Sequence, residues 1–413
     1  MYDLSKHPYF EEYIDPKSGV KSYILKERVG FAQQHFYFCN TSLTPDGKYL
    51  WIRCINPPAL ICNLAVVSLD PDNPFIRNFP GAGYSGDGNM PGLLPGTNSA
   101  VFAEGKKVYT VDIDGNMPGL LPGTTSAVFA EGKKVYTVDI EGNIETLIAL
   151  PEEFAKSRIP NRVLTHVSFS KDKKMIALDT FSGDKSNVAV GNIETGEVKT
   201  FFRAAGIYNH AMFSPTENGL MLLDQDGWTD LYSDEHFGFI NRMWLLNTEN
   251  ETFEAVIPDS WFAHGSKIAH DFWALDGTLC YIDYDKGAYE CDLKTKKHTH
   301  VWKRPVCHSH TNYDRSMWVA DQTPYQWKDT PCRVIFYDRK TNKEIDVFSS
   351  LPYPNIDFRN VDSCYHTDPH PAFSENGEWI ISTTTVKDGQ VDVAITPVEP
   401  LVQLCREKGK EVK

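Results

Sequence analysis

The sequence predicts an all-β fold, a seven-bladed β-propeller that forms a single domain over residues 1–413. Three observations predict it: a short hairpin pattern recurs, further strand-like segments follow most of its copies, and long segments with helical periodicity are scarce. The chain is longer than one compact core usually supports, but repeated sheets that each bury a small core escape this limit. A pair of β-sandwiches and a β-helix are the structural alternatives.

The repeat is a hairpin with an apolar strand, a tight turn containing acidic residues or glycine, and a second apolar strand. Its copies are Leu43–Ile52, Val128–Val138, Phe169–Leu178, Phe213–Leu222, Phe272–Ile282, His310–Val319 and Phe373–Ile381. A second strand pair follows most copies, such as Met243–Asn247 and then Phe253–Ile257, so each unit has about four strands, as a propeller blade does. We expect Lys21–Leu25 to pair with Val391–Ile395 and close the ring.

A second repeat is of another kind. Asp87–Ile113 and Asp114–Ile140 are the same 27 residues and differ only at Asn98 and Thr125. The second copy continues into a strand-like segment, so it fits a blade. We expect the first copy to be a duplicated hairpin beside the second blade, without a role in chemistry.

The bulk composition excludes some partners. A net charge of −14 argues against nucleic acid, because binding a phosphate backbone needs a basic surface, but it does not exclude an anionic substrate in a locally positive cleft. No apolar run approaches the roughly 20 residues that span a bilayer, so no membrane partner is expected. The start of the chain lacks the pattern of a signal peptide. Nine scattered cysteines predict buried thiols in a cytoplasmic protein.

The histidines are the most informative residues. His166, His270 and His308 each precede the acidic residue of their hairpin turn by six positions, His370 by five and His210 by seven. In a propeller, residues that begin the innermost strands converge at one mouth of the central channel. A single histidine at a strand start is most often a packing residue, but five in similar phase favour a shared site.

Two clusters have the spacing of metal ligands. His308 and His310 alternate by two and would share one face of a strand, as would His366, Asp368 and His370. Imidazoles with a carboxylate suit manganese, iron, nickel or zinc. The sequence therefore predicts a divalent metal site formed by these residues.

Several segments resemble a known family, the oligogalacturonate lyases. The segments, in chain order, are Phe36–Leu50, Gly206–Pro215 (GIYNHAMFSP), Asn241–Asn247 (NRMWLLN), His270–Gly277 (HDFWALDG), Cys307–Asp314 (CHSHTNYD) and Asp368–Gly377 (DPHPAFSENG). The resemblance covers most of the chain apart from the duplicated residues, and it is specific only at these short motifs.

The resemblance implies a cytoplasmic seven-bladed propeller that binds Mn²⁺ near its axis and cleaves oligogalacturonides by β-elimination, a reaction of pectin degradation. It assigns the catalytic base to His270 and a catalytic arginine to Arg242. It assigns the first and last metal histidines to His308 and His370.

The sequence departs from the family at one motif. Tyr365 stands where the family has a ligating glutamine, and Asp368 stands where it has a histidine. His366, His310 and Asp368 are the candidates to complete the coordination. The departure leaves the metal and the uronate open.

Elimination removes a proton alpha to a carboxylate, which requires a cation at that carboxylate and a neutral imidazole as base. His210, His166 and Tyr365 are the candidate substrate-binding residues. Aromatic residues available as a sugar platform, each more often a packing residue, are Trp228, Tyr232, Trp273 and Tyr365.

Three functions remain open at this point. The first is a lyase acting on oligogalacturonides. The second is a β-eliminating lyase acting on another uronic-acid oligosaccharide, such as a glucuronate-type glycan. The third is a non-catalytic binding propeller, which predicts histidines without a common phase.

Overall fold

The structure, a computed structural model, describes residues 2–40, 42–56, 61–85, 92–93, 100–101, 119–120, 126–131, 134–139, 144–154, 163–166, 168–182, 185–229, 233–238, 241–257, 267–324, 326–355 and 368–412. Over these ranges the chain is all-β apart from one α-helix and two short 3-10 turns, and all paired strands are antiparallel. Seven of the sheets that these residues form have three to five strands, and two have a single strand pair.

The sheets follow the chain nearly in order. Strands β1 (Phe10–Ile14) and β2 (Lys21–Leu25) come first. The next sheet contains β3 (Ala32–Gln34), β4 (Tyr49–Ile55), β5 (Ile61–Ser68) and β6 (Ile76–Ser85). A strand pair is formed by β7 (Gly92–Leu93) and β8 (Ala100–Val101). The following sheets contain β9 (Gly119–Leu120), β10 (Ser126–Glu131), β11 (Lys134–Asp139) and β12 (Ile144–Ala149), and then β13 (Met175–Ser182), β14 (Lys185–Asn192) and β15 (Val198–Ala205).

The second half repeats this arrangement. One sheet contains β16 (Ile207–Phe213), β17 (Leu220–Asp226), β20 (Met243–Asn247) and β21 (Thr252–Ala255), with the short pair β18 (Trp228–Thr229) and β19 (His236–Phe237) between them in the chain. The next contains β22 (Ile268–Trp273), β23 (Leu279–Asp283), β24 (Gly287–Asp292) and β25 (Lys297–Trp302). The last two contain β26 (Ser309–Thr311), β27 (Met317–Gln322), β28 (Cys332–Asp338) and β29 (Lys343–Leu351), and then β30 (Ala372–Phe373), β31 (Trp379–Lys387) and β32 (Gln390–Pro397). Helix α1 (Val398–Lys408) and β33 (Lys410–Glu411), which pairs with β29, end the chain.

The two ends of the chain meet in one sheet. Tyr23 pairs with Ile395 and Ile24 pairs with Ala394, which places β2 beside β32. The predicted pairing of Lys21–Leu25 with Val391–Ile395 is therefore confirmed.

Turns of successive hairpins contact one another. The backbone N–H of Asp172 donates to the Asn218 side chain in the next turn at 3.1 Å. Gly277 has φ +83°, and a Cβ there would lie 2.0 Å from Oγ1 of Thr216 in the preceding turn, so both the conformation and the space require glycine. These contacts align the hairpins side by side with their turns at one end and their first residues at the other.

Sheets pack face to face around buried middle strands. All five residues of β23 are buried, as are five of the six in β27, which means that both faces of these strands are covered. One core cluster joins Leu50 and Val67 of the first large sheet to Ile381 and Ile395 of the last. The cysteines in the described ranges are free thiols, most of them buried, as the sequence predicted.

Most of the duplicated segment lies outside the described residues. In the first copy Gly92 pairs with Val101, and in the second Gly119 pairs with Val128, the equivalent residues 27 positions later. Each copy thus starts the same hairpin, and over the described ranges the second copy is seen to continue into a larger sheet. Within the described residues, no helix is both long and apolar enough to cross a bilayer.

Candidate active site and metal centre

Three of the five in-phase histidines share a rare backbone conformation. His210, His270 and His370 have φ of +53°, +49° and +46°. The pairing registers shift at His210 and His270, where two residues of the first strand face one residue of its partner. Such bulges re-aim side chains, and a left-handed non-glycine residue costs about 1–3 kcal/mol. Because this costly feature recurs at equivalent positions, the conformation itself points to a functional site.

His308, Asp368 and His370 form a buried group with the donors of a metal site. One ligand atom from each lies within 4.8 Å of the others. The rings of His308 and His370 have centroids 4.2 Å apart, although the residues begin different sheets. The structure therefore brings together three of the residues that the sequence nominated as ligands.

Asp321 holds this group in place from β27. Its Oδ1 and Oδ2 lie 3.2 and 3.1 Å from Nδ1 of His308, and its carboxylate accepts the backbone N–H of both His308 (2.9 Å) and His370 (3.0 Å). A carboxylate on Nδ1 directs Nε2 of His308 toward the group, which is how metal-binding histidines are commonly oriented. Sequence reasoning missed Asp321.

A second group of possible ligands overlaps the first. His270, Cys307 and His308 also offer atoms within 4.8 Å of one another. Burial raises the pKa of the Cys307 thiol well above its ordinary value. The group with the Asp368 carboxylate fits a divalent ion that prefers nitrogen and oxygen, such as Mn²⁺, better than the group with the thiol does.

Of the remaining nominated ligands, the structure describes His310 alone. His310 lies in neither group among the described residues. Its Nδ1 accepts the backbone N–H of Phe373 at 3.1 Å, its ring stacks on Phe272, and burial lowers its pKa to about 4. His366 and Tyr365 lie outside the described residues.

His270 is oriented as a base would be. The carbonyl of Cys307 accepts from Nδ1 at 2.7 Å, which places the proton on Nδ1 and the lone pair of the neutral ring on Nε2. The ring lies 4.0 Å from that of His308, and Tyr284 Oη is 3.3 Å from Nε2. The candidate base thus adjoins the candidate metal group.

Arg242 is buried among carboxylates. Its guanidinium lies 2.5 Å from Asp224, contacts Asp226, and has Nε 3.9 Å from Asp271. Burial raises the pKa of Asp224 well above its ordinary value; Arg242 opposes this shift and Asp271 adds to it. The arrangement holds the planar cation immediately before β20, in the sheet that precedes the one carrying His270.

His166 and His210 link this arginine cluster to Tyr37. Nε2 of His166 and Nδ1 of His210 are 3.0 Å apart, and the latter lies 3.8 Å from Asp224. Sequence reasoning missed Tyr37, whose ring lies 4.8 Å from the ring of His370 and 5.8 Å from that of His166. One tyrosine thus contacts both halves of the histidine cluster.

A repeated aspartate was a signal that sequence reasoning overlooked. An aspartate follows His166, His270 and His308 by thirteen positions and His210 by fourteen. These aspartates are Asp179, Asp283, Asp321 and Asp224. Asp179 accepts the backbone N–H of Thr165 and, at 3.4 Å, that of Ala211 in the next sheet, as Asp321 does for its own pair. In each hairpin the histidine lies near the start and the aspartate lies on the following strand, so the pair recurs at equivalent positions.

Trp273 is the one nominated platform residue whose side chain the structure describes. Trp273 donates its indole N–H to the carbonyl of Met212 at 2.9 Å and lines a cavity of about 290 Å³ that extends toward the hairpin turns. His166 and His310 line that cavity, whereas the His308 group does not. The Trp228 side chain, Tyr232 and Tyr365 lie outside what the structure describes.

Comparisons with known proteins place the fold. No family model matches the chain, and none of the curated proteins matches it by sequence. A solved oligogalacturonate lyase in complex with manganese matches with a TM-score of 0.69 and 18% identity, over 94% of this chain and 96% of that one. An oligogalacturonate lyase from Vibrio parahaemolyticus matches with a TM-score of 0.69 and 17% identity over the same shares. At this identity the likeness shows the fold, and this chain therefore has the fold of the oligogalacturonate lyases, which are β-propellers.

Proposed function

We propose that the protein is a lyase that cleaves uronic-acid oligosaccharides by metal-assisted β-elimination. The observation that carries the proposal is the 4.0 Å contact between the rings of His270 and His308. It places an imidazole with a defined tautomer beside a group of metal-type donors, and this is the pairing that abstraction of a proton alpha to a carboxylate requires.

Each element of the site has a role in this reaction. His308, Asp368 and His370 would hold a divalent ion, most suitably Mn²⁺, which would neutralise the substrate carboxylate beside C5. His270 takes the C5 proton on Nε2. Arg242 supplies a fixed positive charge near the same carboxylate, and His166, His210 and Tyr365 would contact the sugar.

The proposed architecture is a single seven-bladed domain. Each of the seven larger sheets would be one blade, with the sheet shared by both chain ends closing the ring. The in-phase histidines would then lie at one mouth of the channel. The contacts between His166 and His210, and among His270, His308 and His370, support an active site over a non-catalytic binding propeller.

Two substrate classes fit the reaction. The structural neighbours are named for oligogalacturonides, which makes pectin fragments one class and pectin degradation in the cytoplasm the corresponding role. Glucuronate-type oligosaccharides are the other class. The 3.3 Å approach of Tyr284 Oη to His270 Nε2 favours them, because two groups in contact reach the same face of the sugar and only in glucuronate do H5 and O4 share a face.

The test is elimination itself. The metal-loaded protein should generate the ultraviolet absorbance of a C4=C5 double bond conjugated to a carboxylate when it is given uronic oligosaccharides of both classes. Chelation should abolish the signal and Mn²⁺ should restore it. Absence of the signal with every uronide, in protein shown to contain metal, would overturn the proposed function.

A further inference from the structure

The phenol of Tyr284 lies against the imidazole of His270. Its Oη is 3.3 Å from Nε2 and 3.5 Å from Nδ1, and the two rings meet edge to face at 5.4 Å. A hydroxyl in line with one ring lone pair would be clearly farther from the second nitrogen, so Oη lies beside the imidazole and not along the lone-pair direction of Nε2. We infer that Tyr284 is a catalytic residue that protonates the leaving-group oxygen while His270 takes the proton from carbon, an inference that rests on the proposed function.

Tyr284 is held at the correct end of its sheet. It directly follows β23, the strand paired with β22, which carries His270. Its backbone N–H donates to Lys267 at 3.2 Å, and its ring meets that of Trp327 edge to face at 6.1 Å. The side chain is half-buried, so it is anchored and can still meet a ligand. Burial raises the pKa of Tyr284, so the phenol carries its proton at neutral pH.

In the proposed reaction His270 gains one proton and Tyr284 loses one, so the protein carries no net proton afterwards. His270 Nε2 takes the C5 proton, the C5–H electron pair becomes the C4=C5 double bond, and the C4–O4 bond breaks with its electron pair on O4. Tyr284 donates its proton to O4, and the leaving sugar departs as an alcohol. The imidazolium then releases its proton to water and the phenolate takes one up from water, so the enzyme resets with solvent alone.

The same geometry selects a sugar configuration. An acid and a base that touch each other reach atoms on one face of a sugar ring. In glucuronate H5 and O4 project from the same face, whereas in galacturonate the axial O4 projects from the face opposite H5. The pair therefore matches a syn elimination, and the substrate class we assign is an oligosaccharide cleaved at a 4-linked glucuronate-type residue.

Hydrogen–deuterium exchange at C5 distinguishes the role of the acid from that of the base. In deuterated water Tyr284→Phe should lose about 10²- to 10⁴-fold in elimination rate, yet still incorporate deuterium at C5 of unreacted substrate, because His270 remains. His270→Asn should lose both elimination and exchange. The matched control is Tyr281→Phe in the same hairpin, whose hydroxyl contacts Nδ1 of His298 at 3.0 Å away from the site; it should behave as wild type.

The outcomes distinguish this inference from the proposed function. If the wild type eliminates but Tyr284→Phe is equally active, or loses exchange together with elimination, Tyr284 is not the acid. A uronate with a nitrophenolate leaving group at C4 needs no protonation and should restore turnover in Tyr284→Phe, and failure to restore it would also count against the inference.

Two trisaccharides that differ only at C4 complete the test: faster cleavage of the glucuronate is expected, and faster cleavage of the galacturonate would overturn the syn assignment. A wild type inactive on both overturns the proposed function itself.

Discussion

His308 and His370 donate their backbone N–H groups to opposite oxygens of one buried carboxylate, that of Asp321, at 2.9 and 3.0 Å. Their rings consequently lie 4.2 Å apart although they belong to different sheets. The same carboxylate also contacts Nδ1 of His308. One aspartate thus sets both the position of two candidate ligands and the orientation of one of them.

Loss of either ring should empty the proposed metal site. We expect His308→Ala and His370→Ala to retain far less bound metal than wild type, because each removes one of three protein donors from a buried group. Metal per chain, measured by mass spectrometry on protein purified without chelator, checks this. His310→Gln is the matched control, since His310 contacts Phe373 outside the group and should leave the metal content unchanged. Full metal content in both test variants, or loss in the control, would show that the group is wrongly assigned.

Asp321→Asn should lower the affinity for the metal without removing a ligand. The amide keeps an oxygen for the backbone N–H groups but loses the charge that fixes the tautomer of His308. Changes of this kind cost about 10- to 100-fold in metal affinity. Competition with a fluorescent chelator measures the affinity. Asp338→Asn, at a buried carboxylate that contacts Arg406 away from the site, is the control. Equal affinity in Asp321→Asn and wild type would mean that Asp321 serves the fold alone.

The sequence allowed the phase of the histidines and the pairing of the two chain-end strands to be predicted. Both depend on a short pattern, a strand start and a turn, that repeats in each unit. His210 and His270 occupy equivalent bulges, and His166 meets His210, as their common phase predicts. Local periodicity was sufficient because the repeats place equivalent residues in equivalent positions.

Other features depended on structure that sequence patterns do not encode. His308 and His310 were expected to share a strand face, but β26 begins only at Ser309, so strict alternation does not extend to His308. Tyr37 and Tyr284 approach the histidines through a loop and a strand end, which carry no periodic signal. Asp321 could have been found from its fixed spacing after the histidine.

Arg242→Lys should impair turnover and stability together. The guanidinium contacts Asp224, Asp226 and Asp271 through different nitrogens, and a single ammonium cannot match that fork. We expect kcat/KM to fall by about 10²-fold, and the free energy of unfolding to fall by about 1–3 kcal/mol because a buried carboxylate loses its partner. Steady-state kinetics and urea denaturation measure the two effects.

Arg339→Lys is the control for that substitution. Arg339 is exposed and pairs at 2.9 Å with Glu290, which Arg315 also contacts at 3.0 Å, so the carboxylate keeps a partner in the variant. Its kinetics and stability should match wild type. If Arg242→Lys also matched wild type in both measurements, the guanidinium would have no role in the site.

His35 should make the protein sensitive to acid. Burial lowers its pKa from 6.5 to about 3, opposed by its contact with the Pro369 carbonyl at 2.9 Å. The unfolded chain therefore binds more protons than the folded one as the pH falls from 6.5 toward 3, and stability should fall by about 1.4 kcal/mol per pH unit in that window from this group. His35→Gln keeps an N–H for the carbonyl and removes the titration. Urea denaturation at several pH values should give a shallower dependence for the variant; parallel curves would contradict the buried neutral histidine.

Removal of the His270 imidazole should stop elimination while the metal remains bound. His270 has φ +49°, so His270→Asn is the better variant than His270→Ala, because asparagine tolerates the left-handed conformation. Loss of a general base costs about 10²- to 10⁴-fold in rate, whereas His308, Asp368 and His370 are unchanged and should keep their metal. His300→Asn, on the outer strand β25, is the control and should retain full activity. Near wild-type elimination by His270→Asn would move the base to His210 or His166, which share its phase and contact each other at 3.0 Å.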